Sequence, residues 1–174
     1  PAVADYDGDG KADLAWYVPA ASNWRIYESS RGYAERWPRE GLGVTGDLPV
    51  PADYDGDGKA DPAVSRKFDG RIRVRLSTTG KVWMEAKGHK TWKPAVADYD
   101  GDRKADYAWF SPVTGMWRIY LSGSGYAERL PRATFGDVDA TPLPADYDGD
   151  GLADLAFMRP VTGRIRFMES GSGL

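Results

Sequence analysis

The string Ala-Asp-Tyr-Asp-Gly-Asp occurs four times in this chain, with its leading aspartate at Asp5, Asp53, Asp98 and Asp146, at spacings of 48, 45 and 48 residues. Self-similarity at a period of this length points to a series of like supersecondary units, in the size range of propeller blades and above that of leucine-rich or ankyrin repeats. A second period of 93 residues lies over the first. The odd repeats share Pro-Ala-Val-Ala-Asp-Tyr-Asp-Gly-Asp, then Trp-Arg-Ile-Tyr (Trp24 to Tyr27 and Trp117 to Tyr120), then Gly-Tyr-Ala-Glu-Arg. The even repeats carry instead a shorter basic segment, Arg71-Ile72-Arg73-Val74 or Arg164-Ile165-Arg166-Phe167. The chain therefore divides into repeats at 1–48, 49–93, 94–141 and 142–174, the last lacking its final strand, as two 93-residue double units.

Within a repeat the apolar residues alternate or run in short stretches between turn residues, and no useful helical period is present. Repeat one reads as Pro1-Ala2-Val3, Leu14 to Val18, Trp24 to Tyr27 and Tyr33 to Arg36, four short strands. The expected fold class is all-β, with propeller-type blades of about four antiparallel strands. Alanine recurs after each loop (Ala15, Ala63, Ala108, Ala156), followed by a larger residue (Trp16, Val64, Trp109, Phe157), which predicts a strand buried on both faces. These tryptophans are read as packing between sheets. Trp37, Trp83 and Trp92, nearer strand ends and turns, are the candidates for exposed ligand platforms.

The segment following each alanine-aspartate start has the form Asp-x-Asp-x-Asp-Gly-x-x-Asp. The four sets are Asp5, Asp7, Asp9, Asp13; Asp53, Asp55, Asp57, Asp61; Asp98, Asp100, Asp102, Asp106; and Asp146, Asp148, Asp150, Asp154. Four carboxylates within nine residues repel one another unless a cation lies among them, and hard oxygen donors at this density suit Ca2+, one ion per loop. Magnesium prefers fewer carboxylates and more water. Glycine at the sixth position (Gly10, Gly58, Gly151) permits a left-handed turn around the ion, and the backbone carbonyl of the next residue (Lys11, Lys59, Lys104, Leu152) is expected to complete the shell. In the third loop Arg103 stands at the sixth position, so that site is expected to be weaker or distorted. An EF-hand is excluded, because position twelve holds Trp16, Val64, Trp109 or Phe157 where a bidentate Glu would stand.

These loops, with the lead-in Gly46-Asp47-Leu48-Pro49-Val50-Pro51-Ala52, resemble the FG-GAP or VCBS repeats of integrin-like β-propellers, bacterial secreted members included. The resemblance covers nearly the whole chain. It implies a structural Ca2+ in each blade, an extracellular, secreted or cell-surface setting, and a role in adhesion or in glycan or protein binding. Such propellers usually close with about seven blades, whereas this chain holds four repeats.

Composition narrows the remaining choices. There is no cysteine, so disulfides, thiolate nucleophiles and cysteine zinc sites are all absent. No apolar run approaches the roughly 18 residues of a membrane span. The chain opens on Pro1, as a mature product or fragment would. Sixteen of the 26 acidic residues lie in the loops, and four divalent ions would move the net charge from −3 to +5. Arg25, Arg73, Arg118 and Arg166 then offer a basic ladder to an acidic polysaccharide, or pair across strands with nearby acids. No nucleic-acid-binding module is present. The sole histidine, His89, has no nucleophile motif to serve, and the carboxylate clusters are accounted for by the loops, so no enzyme is expected. Two roles remain: a binding module displaying loops to a glycan or protein, or a structural array that self-associates through an open blade edge into a filament or stalk.

Overall fold

The β-branched and aromatic stretches on either side of each aspartate loop pair into antiparallel ladders, as their alternation requires. The computed structural model describes residues 1–36, 40–84, 88–129 and 132–172. The first sheet holds β1 (Leu14–Val18), β2 (Asn23–Glu28), β3 (Ala34–Glu35) and β4 (Glu40–Gly41), with β3 and β4 both paired to β2. The second contains β5 (Leu48–Pro49), β6 (Ala63–Ser65), β7 (Ile72–Arg75) and β8 (Val82–Met84), in that order. The third is built from β9 (Lys93–Pro94), β10 (Tyr107–Phe110), β11 (Trp117–Leu121) and β12 (Ala127–Glu128), and the fourth from β13 (Thr141–Pro142), β14 (Leu155–Met158) and β15 (Ile165–Met168). All pairings are antiparallel, and the helical residues among those described form short 3-10 turns. The fold is thus all-β, in propeller-like blades. Pro1-Ala2-Val3 does not form the expected strand: Ala2 N donates to Ala15 O at 2.9 Å and Ala4 makes a single bridge with Asp13, too little to extend a ladder.

The chain comprises two units, Pro1–Lys90 with the first two sheets and Thr91–Leu174 with the last two. Register decides which side chains face the core, because residues directly opposite each other in an antiparallel pair share a face. In the first sheet Ala15 opposes Ile26 and Tyr17 opposes Trp24, while Leu14 opposes Tyr27 and Trp16 opposes Arg25. Ala15, Trp24 and Ile26 form the core of the first unit with Leu42, Ala60 and Val64. In the second unit, Ala108, Phe110, Trp117 and Ile119 of the third sheet pack with Leu155 and Phe157 of the fourth. One rule describes both cores: the alanine-bearing face of an odd sheet meets the face of the following even sheet that carries the larger residue next to its own alanine.

Trp109, Val64 and Phe157 are buried as their pattern predicts, at 0%, 0% and 1% exposure. Trp16 is not. It is 45% exposed with Leu14 at 45%, and the expectation of a strand buried on both sides fails there. No helix among the described residues is long and apolar enough to cross a membrane.

Candidate metal centres

Each loop is held at both ends by a bridge between the residue before its first aspartate and its last aspartate: Ala4 with Asp13, Ala52 with Asp61, Ala97 with Asp106, Ala145 with Asp154. Between these posts the chain makes successive turns with amide groups directed inward. In loop one, Gly8 N and Gly10 N donate to the two carboxylate oxygens of Asp5 at 2.7 and 2.8 Å, and Lys11 N donates to Asp9 at 2.8 Å. Reaching back to Asp5 from the sixth position requires positive φ, found at Gly10 (82°), Gly58 (83°) and Gly151 (89°). Arg103 takes the same conformation at φ 68°, and its amide still reaches Asp98 at 2.8 Å. The third loop is therefore not distorted. Its departure from glycine is held as backbone strain, about 1 kcal/mol or more for a side chain in this region.

The ninth-position aspartates have a distinct place. Asp13, Asp61, Asp106 and Asp154 are all 0% exposed. Asp13 accepts from Tyr6 N and from Ser29 N, each at 2.7 Å, so one carboxylate ties the loop start to the turn after β2. The same two bonds recur from Tyr54 and Ser77, Tyr99 and Ser122, and Tyr147 and Ser170. Burial raises the carboxyls of Asp61 and Asp106 to about 6, against the opposing pull of these amides. The serine hydroxyls add a second tie, from Ser29 to Asp9, Ser77 to Asp57, Ser122 to Asp102 and Ser170 to Asp150.

Of each expected set of four, three aspartates come together, with one oxygen apiece inside 4.8 Å of the others: Asp5, Asp7, Asp13; Asp53, Asp55, Asp57; Asp98, Asp100, Asp106; and Asp146, Asp148, Asp154. Asp9, Asp102 and Asp150 lie outside these triads, as does Asp61 in the second loop. This donor set fits a hard divalent cation. The loops are also linked in pairs inside each unit, Ala60 N donating to Asp5 O at 2.6 Å and Ala153 N to Asp98 O at 2.7 Å.

Loop features beyond the aspartates came to light only in three dimensions. The tyrosine between the first two aspartates sends its hydroxyl to the carbonyl four residues earlier, as Tyr6 to Ala2 at 2.6 Å and Tyr99 to Ala95 at 2.7 Å, and burial pushes both phenols well above their ordinary range. Gly8, Gly56, Gly101 and Gly149, at the fourth position, also require positive φ.

The tryptophan candidates diverge. Trp83 is 37% exposed and lines a 340 Å3 cleft with Arg66, Arg73 and Val82. Trp92 is half-buried with the Arg118 guanidinium 6.0 Å from its ring centre. Trp37 lies outside the described residues. In the odd sheets the ladder arginines pair across strands, Arg25 with Glu35 at 2.8 Å and Arg118 with Glu128 at 3.1 Å.

With this geometry in place, residues 1–34 match the family model described as FG-GAP repeat. The first repeat is thus consistent with an FG-GAP/VCBS-type repeat, and the remaining three loops share its aspartate spacing. A comparison with curated proteins gave no match.

Proposed function

We propose that each aspartate loop binds one Ca2+ as a structural ion and that the chain is a non-catalytic, extracellular binding module for a glycan or protein. The observation that carries the cation reading is the fourfold recurrence of a carboxylate triad on the same loop frame. The triads would supply the charged ligands, and the carbonyls of Lys11, Lys59, Lys104 and Leu152 would add to them. The ion would neutralise the charge that the inward amides leave uncompensated. FG-GAP repeats are typically non-catalytic structural repeats found outside the cell, which supports the rest of the reading. For the ligand, the cleft of Trp83, Arg66 and Arg73 joins an aromatic face to cationic side chains, a combination suited to an acidic sugar.

Calorimetric titration of the metal-free chain with Ca2+ tests the first part, with up to four ions expected to bind. Cation binding to the folded state alone adds about 2.7 kcal/mol per site at a hundredfold excess over Kd, so chelation lowers the melting temperature strongly. An unchanged melting curve in excess chelator refutes the structural ion. Binding of heparin fragments, lost on Trp83→Ala, is the expected result for the cleft.

A further inference from the structure

The two loops of a unit touch each other beside the residues that carry their ligands. In the first unit Ala60, at the eighth position of loop two, donates its amide to the carbonyl of Asp5, the first aspartate of loop one, at 2.6 Å. Ala153 does the same to Asp98 in the second unit, at 2.7 Å. Ala60 and Ala153 are each only 6% exposed, so water does not stand in for the acceptor. The even loop also lies across the odd one. A Cβ at Gly8 would stand 3.2 Å from Lys59 Cγ, and one at Gly101 2.8 Å from Leu152 Cδ2. These are the glycines whose amides hold the Asp5 and Asp98 carboxylates, at 2.7 and 2.6 Å. By contrast, a Cβ at Gly149, the fourth position of loop four, would meet nothing within 4 Å.

We infer that the two cation sites of each unit fill cooperatively, an ion in one loop raising the affinity of the other through the bonds from Ala60 to Asp5 and from Ala153 to Asp98. The inference rests on the Ca2+ reading of the loops given above. Asp5 belongs to the loop-one triad, and Ala60 stands between Lys59, whose carbonyl would bind the second ion, and the buried Asp61. An ion that fixes Asp5 therefore fixes the acceptor of Ala60, and an ion that fixes loop two fixes the donor. The second ion finds part of its loop already ordered, which is positive coupling without any change of fold. Loosening either loop leaves a buried donor unsatisfied, and a coupling of about fivefold or more is expected, equal in both directions by linkage. Charge acts against it, since the first ion cancels part of the negative field that draws the second. That opposition is screened in about 1 M salt, where the Debye length is about 3 Å, whereas the buried bond is not.

The test follows the whole chain, labelled with 15N-glycine, by NMR through a Ca2+ titration in about 1 M KCl. Gly8 and Gly10 report loop one, and Gly56 and Gly58 report loop two. In the wild type both sets of signals should move together and more steeply than a single-site curve. Asp55→Asn with Asp57→Asn weakens loop two while leaving an oxygen acceptor on each side chain. It should raise the Ca2+ concentration that half-fills loop one about fivefold or more. Replacing Ala60 by lactic acid exchanges the amide N–H for an ester oxygen and alters no charge, and loops one and two should then fill independently with single-site slopes. Each variant is checked for native β content by circular dichroism. Single-site slopes in the wild type, a loop-one midpoint that ignores the loop-two variant, or steep slopes that survive the ester overturn the coupling and leave the cation reading standing. Glycine signals that do not respond to Ca2+ at all overturn both.

Discussion

The first and third sheets are near copies in sequence and in register, yet they sit differently in water. Trp16 opposes Arg25 and Trp109 opposes Arg118 in the same ladder position, and each tryptophan meets a tyrosine edge-on, at 5.4 Å from Tyr27 and 5.7 Å from Tyr120. Trp16 is nonetheless 45% exposed and Trp109 is fully buried. Local sequence sets strand, register and side-chain direction, while burial is a property of what lies against the sheet. The loops show the opposite behaviour. Loops one and three share every tie between the ninth-position aspartate and its flanks, because these partners all come from the same repeat.

That contrast can be broken most forcefully at the tryptophans. Trp109→Ala should cost about 3–5 kcal/mol, in the range for emptying a core site, and Trp16→Ala about 1 kcal/mol, measured by urea denaturation at low concentration. Equal losses would mean that the two faces are energetically alike. The loops should instead respond alike. Asp13→Ala and Asp106→Ala each orphan one buried and one part-buried amide, at about 1–3 kcal/mol per unsatisfied buried group, and a difference between the two variants larger than about 1 kcal/mol would show that the loops are less equivalent than their bonds suggest.

A smaller effect separates loop three from loop one. Arg103→Gly should stabilise the chain by about 1 kcal/mol, and Gly10→Arg should destabilise it by a similar amount; calorimetry should also show tighter cation binding at the third loop of Arg103→Gly. Stability should also vary with pH in chelator. Asp106 titrates near 6 in the folded chain, against 3.8 for an ordinary aspartate. The folded state therefore holds a proton that the unfolded chain releases between these values, and the contribution of this group is full below about pH 4 and lost as pH rises through about 6. Thermal melts of Asp106→Asn should lack this component, and an unaltered profile would remove the assignment.

Much of this was legible in the sequence, for physical reasons that particular residues make clear. The aspartate spacing is a local signal, and the left-handed demand at position six could be read from glycine in three loops and felt at Arg103. Spacing alone could not show which three of each loop's four carboxylates lie within 4.8 Å of one another. The serine ties were missed, although a signal existed: a serine stands 16 residues after the ninth-position aspartate in every repeat, at Ser29, Ser77, Ser122 and Ser170. The loop tyrosines likewise recur without variation, and their hydroxyl partners lie only four residues away. Exposure of Trp16 had no signal within its repeat, because nothing there distinguishes it from Trp109.

The short reach of these ties also shapes how the chain is made. Apart from β2 with β4, each ladder joins strands that are neighbours in sequence, and each buried aspartate reaches 7 residues back and 16 forward for its partners. Contacts this local favour rapid folding. A lone sheet, however, has no second layer on which to bury its alanine-bearing face. The smallest segment able to close a core is then the pair of repeats, 93 residues long, which a ribosome delivers in roughly 5–20 s at ~5–20 residues per second. Folding in step with synthesis would let the first core close while the second is still being extended, keeping its half-finished sheets apart from those of neighbouring nascent chains.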